Sequence, residues 1–226
     1  MKSLHSGLPP LRRLSEPAFP YRSLLSILFP SFWYNDQKEV NIMEQVQNQS
    51  FYHIQTGFQH ISNVGDILNI GSHENEYLGF YRTFDLNTRP PQSAYRELRC
   101  YFREQIFEEV RKSDYPELPS RYFCLWMIPD LAPLKDRLKF WIPQVAGNLN
   151  ETFRVLHLSC SGCVHYANPK YLDLEKCTSI QNARENAVRY WRGDEVSSED
   201  PTTEVLFIGQ AMVIGVIDPF DPAHQG

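Results

Sequence analysis

The sequence predicts an α+β fold rather than a doubly wound α/β sheet. Three observations carry this. Strand-like runs outnumber helix-like ones, their order along the chain is mixed, and no regular strand–helix–strand alternation appears. Hydrophobic residues make up 42% of the 226 positions and aromatic residues 13%, enough to build a core and to exclude wholesale disorder.

Residues 1–42 differ in kind from the rest. They hold five of the sixteen prolines, at 9, 10, 17, 20 and 30, a density that breaks helices and strand ladders alike. The apolar stretch Leu24–Phe29 ends at Pro30, short for a secretory signal core and without a small-residue cleavage pattern after it. A flexible proline-rich extension over 1–48 is expected, a folded domain over 49–218, and a tail over 219–226. Met43 stands just before the first patterned segment and is a candidate internal start.

Within the domain, Phe51–Ile54 reads as a short strand ended by Gly57, and Ile61, Val64, Ile67, Leu68 and Ile70 follow at mixed spacing, punctuated by Gly65 and Gly71. Residues 72–92 read as polar and irregular. Ser93 is placed to cap a helix over 94–112, with Ala94, Leu98, Tyr101, Phe102, Ile106 and Val110 on one stripe and a solvated Arg/Glu face opposite. Tyr122–Ile128 between two prolines reads as a buried strand, and Ala132–Trp141 as a shorter helix. Phe153–Leu158 alternates with period two. Thr178 caps a second helix whose inner face is Ile180, Ala183, Ala187, Tyr190 and Trp191, and Gly193 ends it. After a polar loop, Glu204–Ile208 and Ala211–Ile217 read as two strands parted at Gly209-Gln210.

The formal charge of −5 divides unequally: +2 on residues 1–42 and −7 on the remainder. An acidic body argues against binding nucleic acid by charge alone and leaves local recognition open. The longest apolar run is far short of the ~20 residues that span a bilayer, so no membrane partner is expected. Five cysteines, an odd number, do not read as a disulfide framework, and a reducing, cytoplasmic setting is the default.

The glycine signatures of Rossmann dinucleotide binding and of P-loop NTPases are absent, as are the nucleophile-elbow, zincin and kinase motifs. Cys160-Ser-Gly-Cys163, flanked by His157 and His165, is half of a zinc site, because thiolate and imidazole suit tetrahedral Zn²⁺. A second pair is missing, and the plainer reading is a strand with buried thiols; no metal ligand is assigned.

Three separated pieces form the most suggestive constellation. The first is Tyr52-His53-Ile54-Gln55-Thr56 with the Ile61–Leu68 segment after it. The second is Pro119-Ser120-Arg121-Tyr122-Phe123, and the third Thr203-Glu204-Val205-Leu206, a glutamate opening a late strand. In this order and context the chain, over roughly residues 51–217, resembles the ADP-ribosyltransferase superfamily, in particular its His-Tyr-Glu branch (the diphtheria-toxin and poly(ADP-ribose) polymerase type). The resemblance implies a split antiparallel β fold with flanking helices that clasps NAD as co-substrate. It implies a bacterial toxin or anti-phage effector that modifies a nucleic-acid or protein acceptor and is restrained by an antitoxin or inhibitor protein. By that analogy His53 holds ribose hydroxyls, Tyr122 stacks on the nicotinamide ring, and Glu204 grips the nicotinamide ribose and orients the acceptor. Thr56, Ser120 and Arg121 complete the expected NAD contacts, with Arg121 offering a bidentate fork for the pyrophosphate.

The chemistry fits these residue types. Breaking the nicotinamide–ribose bond develops positive charge on the ribose, as in glycoside hydrolysis, and a carboxylate beside it stabilises that charge. Two alternatives stay open on the same residues: a non-catalytic module that binds NAD or ADP-ribose, and a zinc-stabilised interaction domain.

Overall fold

The protein is described by a computed structural model covering residues 43–56, 61–83, 85, 90–130, 133–145, 153–197 and 199–218. The expected extension before Met43, the turn at Gly57 and the tail from residue 219 lie outside these residues. The first strand already begins at Glu44, five residues ahead of the expected domain start, because Glu44, Gln45 and Val46 pair with the neighbouring strand across an irregularity at Val46/Gln49.

Among the described residues, five strands and four helices follow in the order β1 (Glu44–Thr56), β2 (Ile67–Ile70), α1 (Glu76–Thr83), α2 (Pro91–Asp114), β3 (Leu125–Pro129), α3 (Leu134–Val145), β4 (Phe153–Ala167), α4 (Ile180–Trp191) and β5 (Glu204–Ile217). Two short 3-10 turns, Pro169–Leu172 and Leu174–Lys176, connect β4 to α4. The fold class is α+β, and all strand pairs are antiparallel.

The long strand β4 is the spine. It pairs along one side with β1 and along the other with β5. On their far sides β1 and β5 are bridged by β3, so β1, β4, β5 and β3 close into a ring, with β2 continuing beside β5 where β3 ends. Strand alternation then sorts the side chains. Phe51, Met127, Leu156, Leu158, Cys160, Val164, Val205 and Phe207 fill the interior of the ring. The other face of the strands is covered twice. α3 lays Leu138 and Ile142 on Tyr52, Ile54, Ile128 and Val155. α2 and α4 bring Phe107, Val110, Ala187, Tyr190 and Trp191 onto Leu206, Ala167 and Cys124.

Several elements differ from their sequence reading. α1 occupies a stretch that reads as irregular; its start is fixed by Asn75, whose Oδ1 accepts from Leu78 N at 3.0 Å, a side-chain cap. α2 starts at Pro91, with proline rather than Ser93 at its head. The cap of α4 is Ser179, accepting from Asn182 N at 3.1 Å, not Thr178, and Ile180 is 70% exposed rather than on the inner face. Residues 204–217 form one strand, because Gly209 (φ +139°) carries the chain through a conformation open to glycine without breaking the ladder. It faces Gly162 on β4, and a Cβ on Gly209 would lie 2.5 Å from the Ser161 carbonyl oxygen, so the two glycines permit the close approach of the strands.

Candidate functional site: a buried charge network beside Trp126

The apolar stripe read along α2 is displaced in the structure. Phe102 is 59% exposed, and the buried positions are Cys100, Glu104, Phe107, Val110 and Arg111. The charged face is therefore not wholly solvated: Glu104, in the middle of the helix, is 1% exposed. A carboxylate there is tolerable only if paired and hydrogen-bonded. Arg103 donates to Glu104 Oε1 from Nη2 at 2.6 Å and from Nε at 3.2 Å. Arg121 donates from Nε to Oε2 at 2.8 Å and from Nη2 to Oε1 at 3.4 Å.

Arg121 reaches this spot because the chain turns over residues 120–124. The Ser120 carbonyl accepts from Phe123 N and Cys124 N, which swings the Arg121 side chain under α2 and α4. Its remaining terminal nitrogen, Nη1, donates to Tyr190 OH at 2.6 Å and to Glu204 Oε1 at 2.8 Å, and Tyr190 OH also donates to Glu204 Oε1. Both hydrogen bonds of Glu204 thus end on Oε1, and no described group bonds Oε2. The guanidinium also lies 5.5 Å from the Trp126 ring centroid and 5.3 Å from that of Tyr190.

Electrostatics follow from this packing. Burial alone would raise the Glu104 carboxyl, but the Arg121 and Arg103 guanidiniums overcome it and hold the group below its ordinary value. Burial disfavours the Arg121 charge, and Glu104, Tyr190 and Glu204 outweigh it and lift the group well above its usual range. Burial pushes the Tyr190 phenol well up, with Arg121 opposing and Glu204 adding to the rise, so the hydroxyl stays protonated as a donor. Two guanidiniums face two carboxylates, and the cluster is neutral.

Trp126 joins this network to β1. Its carbonyl bonds His53 Nδ1 at 2.8 Å, its Cα pairs with Leu206 two residues beyond Glu204, and its ring meets Tyr77 of α1 edge-on at 5.6 Å. Its Nε1 is buried with no acceptor among the described residues. Tyr77 itself is 59% exposed.

The residues expected from the sequence fall out as follows. Arg121 and Glu204 are brought into direct contact, and Arg121 is no free fork, since both of its edges are engaged. Tyr122 lies in the turn before β3, not on the strand; it is 3% exposed, and its hydroxyl accepts from Gln105 Nε2 at 2.6 Å. Ser120 Oγ is committed to Glu108 Oε2 at 2.9 Å. His53 is half-buried on the β1 face it shares with Phe51, whereas Glu204 shares its β5 face with Leu206, toward the helices. Burial lowers the His53 imidazole, against the bond to Trp126, and keeps it neutral. Thr56 is exposed at the end of β1. Sequence reasoning missed Glu104, Arg103, Trp126 and Tyr77, and placed Tyr190 in the core without a polar role. The signal for Glu104 is present in the spacing of Cys100, Glu104, Phe107 and Arg111, which is that of one helix face.

The cysteine pair does not converge. Cys160 packs in the ring interior with its Sγ 3.6 Å from Met127 Sδ, while Cys163 accepts from Gln45 Nε2 at 2.8 Å. No group of three metal-ligating side chains gathers among the described residues, and no helix among them is long and apolar enough to cross a membrane.

Residues 86–219, more than half of the chain, match the family described as "protein of unknown function (DUF2441)". The chain belongs to this family. The DUF2441 segment contains Arg103, Glu104, Arg121, Trp126, Tyr190 and Glu204, and therefore the whole charge network; β1 with His53 and α1 with Tyr77 precede it. No curated protein matches the chain.

Proposed function

We propose that the domain is an NAD-consuming ADP-ribosyltransferase in which Glu204 is the acidic residue of the reaction. The observation that carries this reading is the presentation of Glu204. It opens a strand, Arg121 and Tyr190 hold it by Oε1 alone, and Oε2 has no bond from any described group. A carboxylate fixed through one oxygen can accept a ribose hydroxyl on the other and stabilise positive charge developing at the sugar. In the reaction the bond from ribose C1′ to the nicotinamide nitrogen breaks. The electron pair leaves with nicotinamide, and the acceptor's nucleophilic atom bonds C1′ as it loses its proton. The strand context adds support, since β3 lies between the strand of His53 and that of Glu204 and is tied to both through Trp126. On this reading His53 and Tyr122 act through the scaffold, one bracing β3 and the other bonded to α2. The acceptor, nucleic acid or protein, is the substrate the reading requires beside NAD.

One observation favours a second reading, a non-catalytic NAD- or ADP-ribose-binding module: Glu204 is only 5% exposed and already salt-bridged to Arg121. Nicotinamide release separates the two. Purified protein incubated with NAD and a mixture of nucleic-acid and protein acceptors is expected to release nicotinamide. Glu204→Gln, which keeps the shape and removes the charge, is expected to slow release about 100-fold or more. No release from the native chain, with NAD still bound in calorimetry, would leave the binding module standing.

A further inference from the structure

We propose that Glu104 is a positioning residue for Glu204, acting through Arg121. The inference rests on the reading of Glu204 given above and concerns how that carboxylate is presented.

An arginine beside a carboxylate normally forks across both of its oxygens. Arg121 does not do so with Glu204. Its side edge, Nε with Nη2, is turned onto Glu104, and only the corner Nη1 reaches Glu204, on Oε1. Glu104 is what holds the fork in that orientation. It is in turn held by Arg103, whose Nη1 is anchored on the Leu172 carbonyl at 2.5 Å, so the chain of contacts ends on backbone rather than in solvent. Without the Glu104 charge, Arg121 has one buried carboxylate left to satisfy it, and its natural geometry is a fork across Glu204 that occupies Oε2. Glu104 therefore keeps open the oxygen that the reaction needs. Beside Glu104 the same helix buries Cys100, Phe107 and Val110 and, nearer its end, Arg111.

The test is Glu104→Gln, close in volume and without the charge. A crystal structure of the variant is expected to show Arg121 Nη1 and Nη2 on both oxygens of Glu204. In nicotinamide release, kcat is expected to fall about 10-fold or more while KM for NAD stays within about threefold. A role confined to stability would leave the kcat-to-KM split unmoved. If the single variant does not fold, Arg103→Gln with Glu104→Gln keeps the cluster neutral and is read the same way. An Arg121 that stays in place with kcat unchanged overturns the proposal. If the native chain releases no nicotinamide, the transferase reading falls, while the position of Arg121 in the variant still decides whether Glu104 holds it.

Discussion

Replacing Arg121 by methionine tests the charge network most directly. Methionine keeps much of the side chain's length, so the loss is mainly that of the guanidinium. The native cluster sets Arg103 and Arg121 against Glu104 and Glu204, all poorly exposed, with net charge zero. The variant leaves a net buried charge of −1: Glu104 keeps Arg103, and Glu204 keeps only the Tyr190 hydroxyl. Breaking a buried pair by removing one partner costs about 3–5 kcal/mol, a large share of the ~5–15 kcal/mol that stabilises a domain. The dependence on pH has a definite sign. The folded Glu104 carboxyl lies below its unfolded value of about 4.3, so its contribution is present above that value and is lost as pH falls through the folded one. The deficit is therefore expected to be largest above about pH 4.3 and to shrink as pH falls below it. Urea unfolding followed by tryptophan fluorescence measures both ends of this range. Adding Glu204→Gln to the variant is expected to recover about 1 kcal/mol or more, since it removes the orphaned charge. A neutral-pH deficit under about 1 kcal/mol that is flat with pH would refute the reasoning.

Two further predictions concern the frame around the site. Gly209→Ala places a Cβ 2.5 Å from the Ser161 carbonyl oxygen at a φ of +139°, and is expected to cost about 2 kcal/mol or more in urea unfolding; Gly79→Ala, with nothing within 4 Å of its Cβ, is the matched control and should be neutral or stabilising. His165 is 2% exposed and stacks on Trp191, and burial depresses its imidazole to about 4, with a bond to the Tyr190 backbone opposing. The unfolded chain takes up that proton first, at about pH 6.5, so stability present above that pH is lost as pH falls toward 4. His165→Phe should flatten this fall, which spans about 3 kcal/mol, and an unchanged slope of urea midpoint against pH would show that His165 does not titrate the fold.

How much of this was legible in the sequence depended on the range of the interaction involved. β4, α2 and α4 announce themselves through local periodicity, and the α+β class followed from their order. α1 was hidden because Gly79 and its polar neighbours give a weak helical pattern, while the cap that starts the helix is a single asparagine. β5 was split in two because glycine ordinarily punctuates, and only its register against Gly162 shows that this one serves a close strand approach. The α2 error is the instructive one. An Arg/Glu-rich face looks solvated when helix neighbours are the only partners considered. The partner that allows Glu104 to be buried lies 17 residues on, in a turn, and the carboxylate that balances it lies 83 residues further still, at the head of β5. Arg121 and Glu204 were both legible as chemistry-bearing residues; that each engages the other was not.

A buried network of this kind is poor evidence of stabilisation, and that is what gives it meaning here. Well-packed apolar residues of similar volume would fill the space between α2, α4 and β5 at equal or lower free energy, because two carboxylates and two guanidiniums must first be stripped of water. The space is already lined by Phe107, Tyr190 and Leu206, so an apolar continuation was structurally available. What the charged arrangement supplies, and an apolar one cannot, is direction. Arg121 is turned by Glu104, Tyr190 is kept as a donor, and Glu204 is held by one oxygen at the start of a strand that β3 and β4 brace from both sides. Direction of this sort has value where a group must meet a reacting atom at fixed geometry. The physical case for chemistry at Glu204 therefore rests less on any single residue type than on the free energy spent in aiming it.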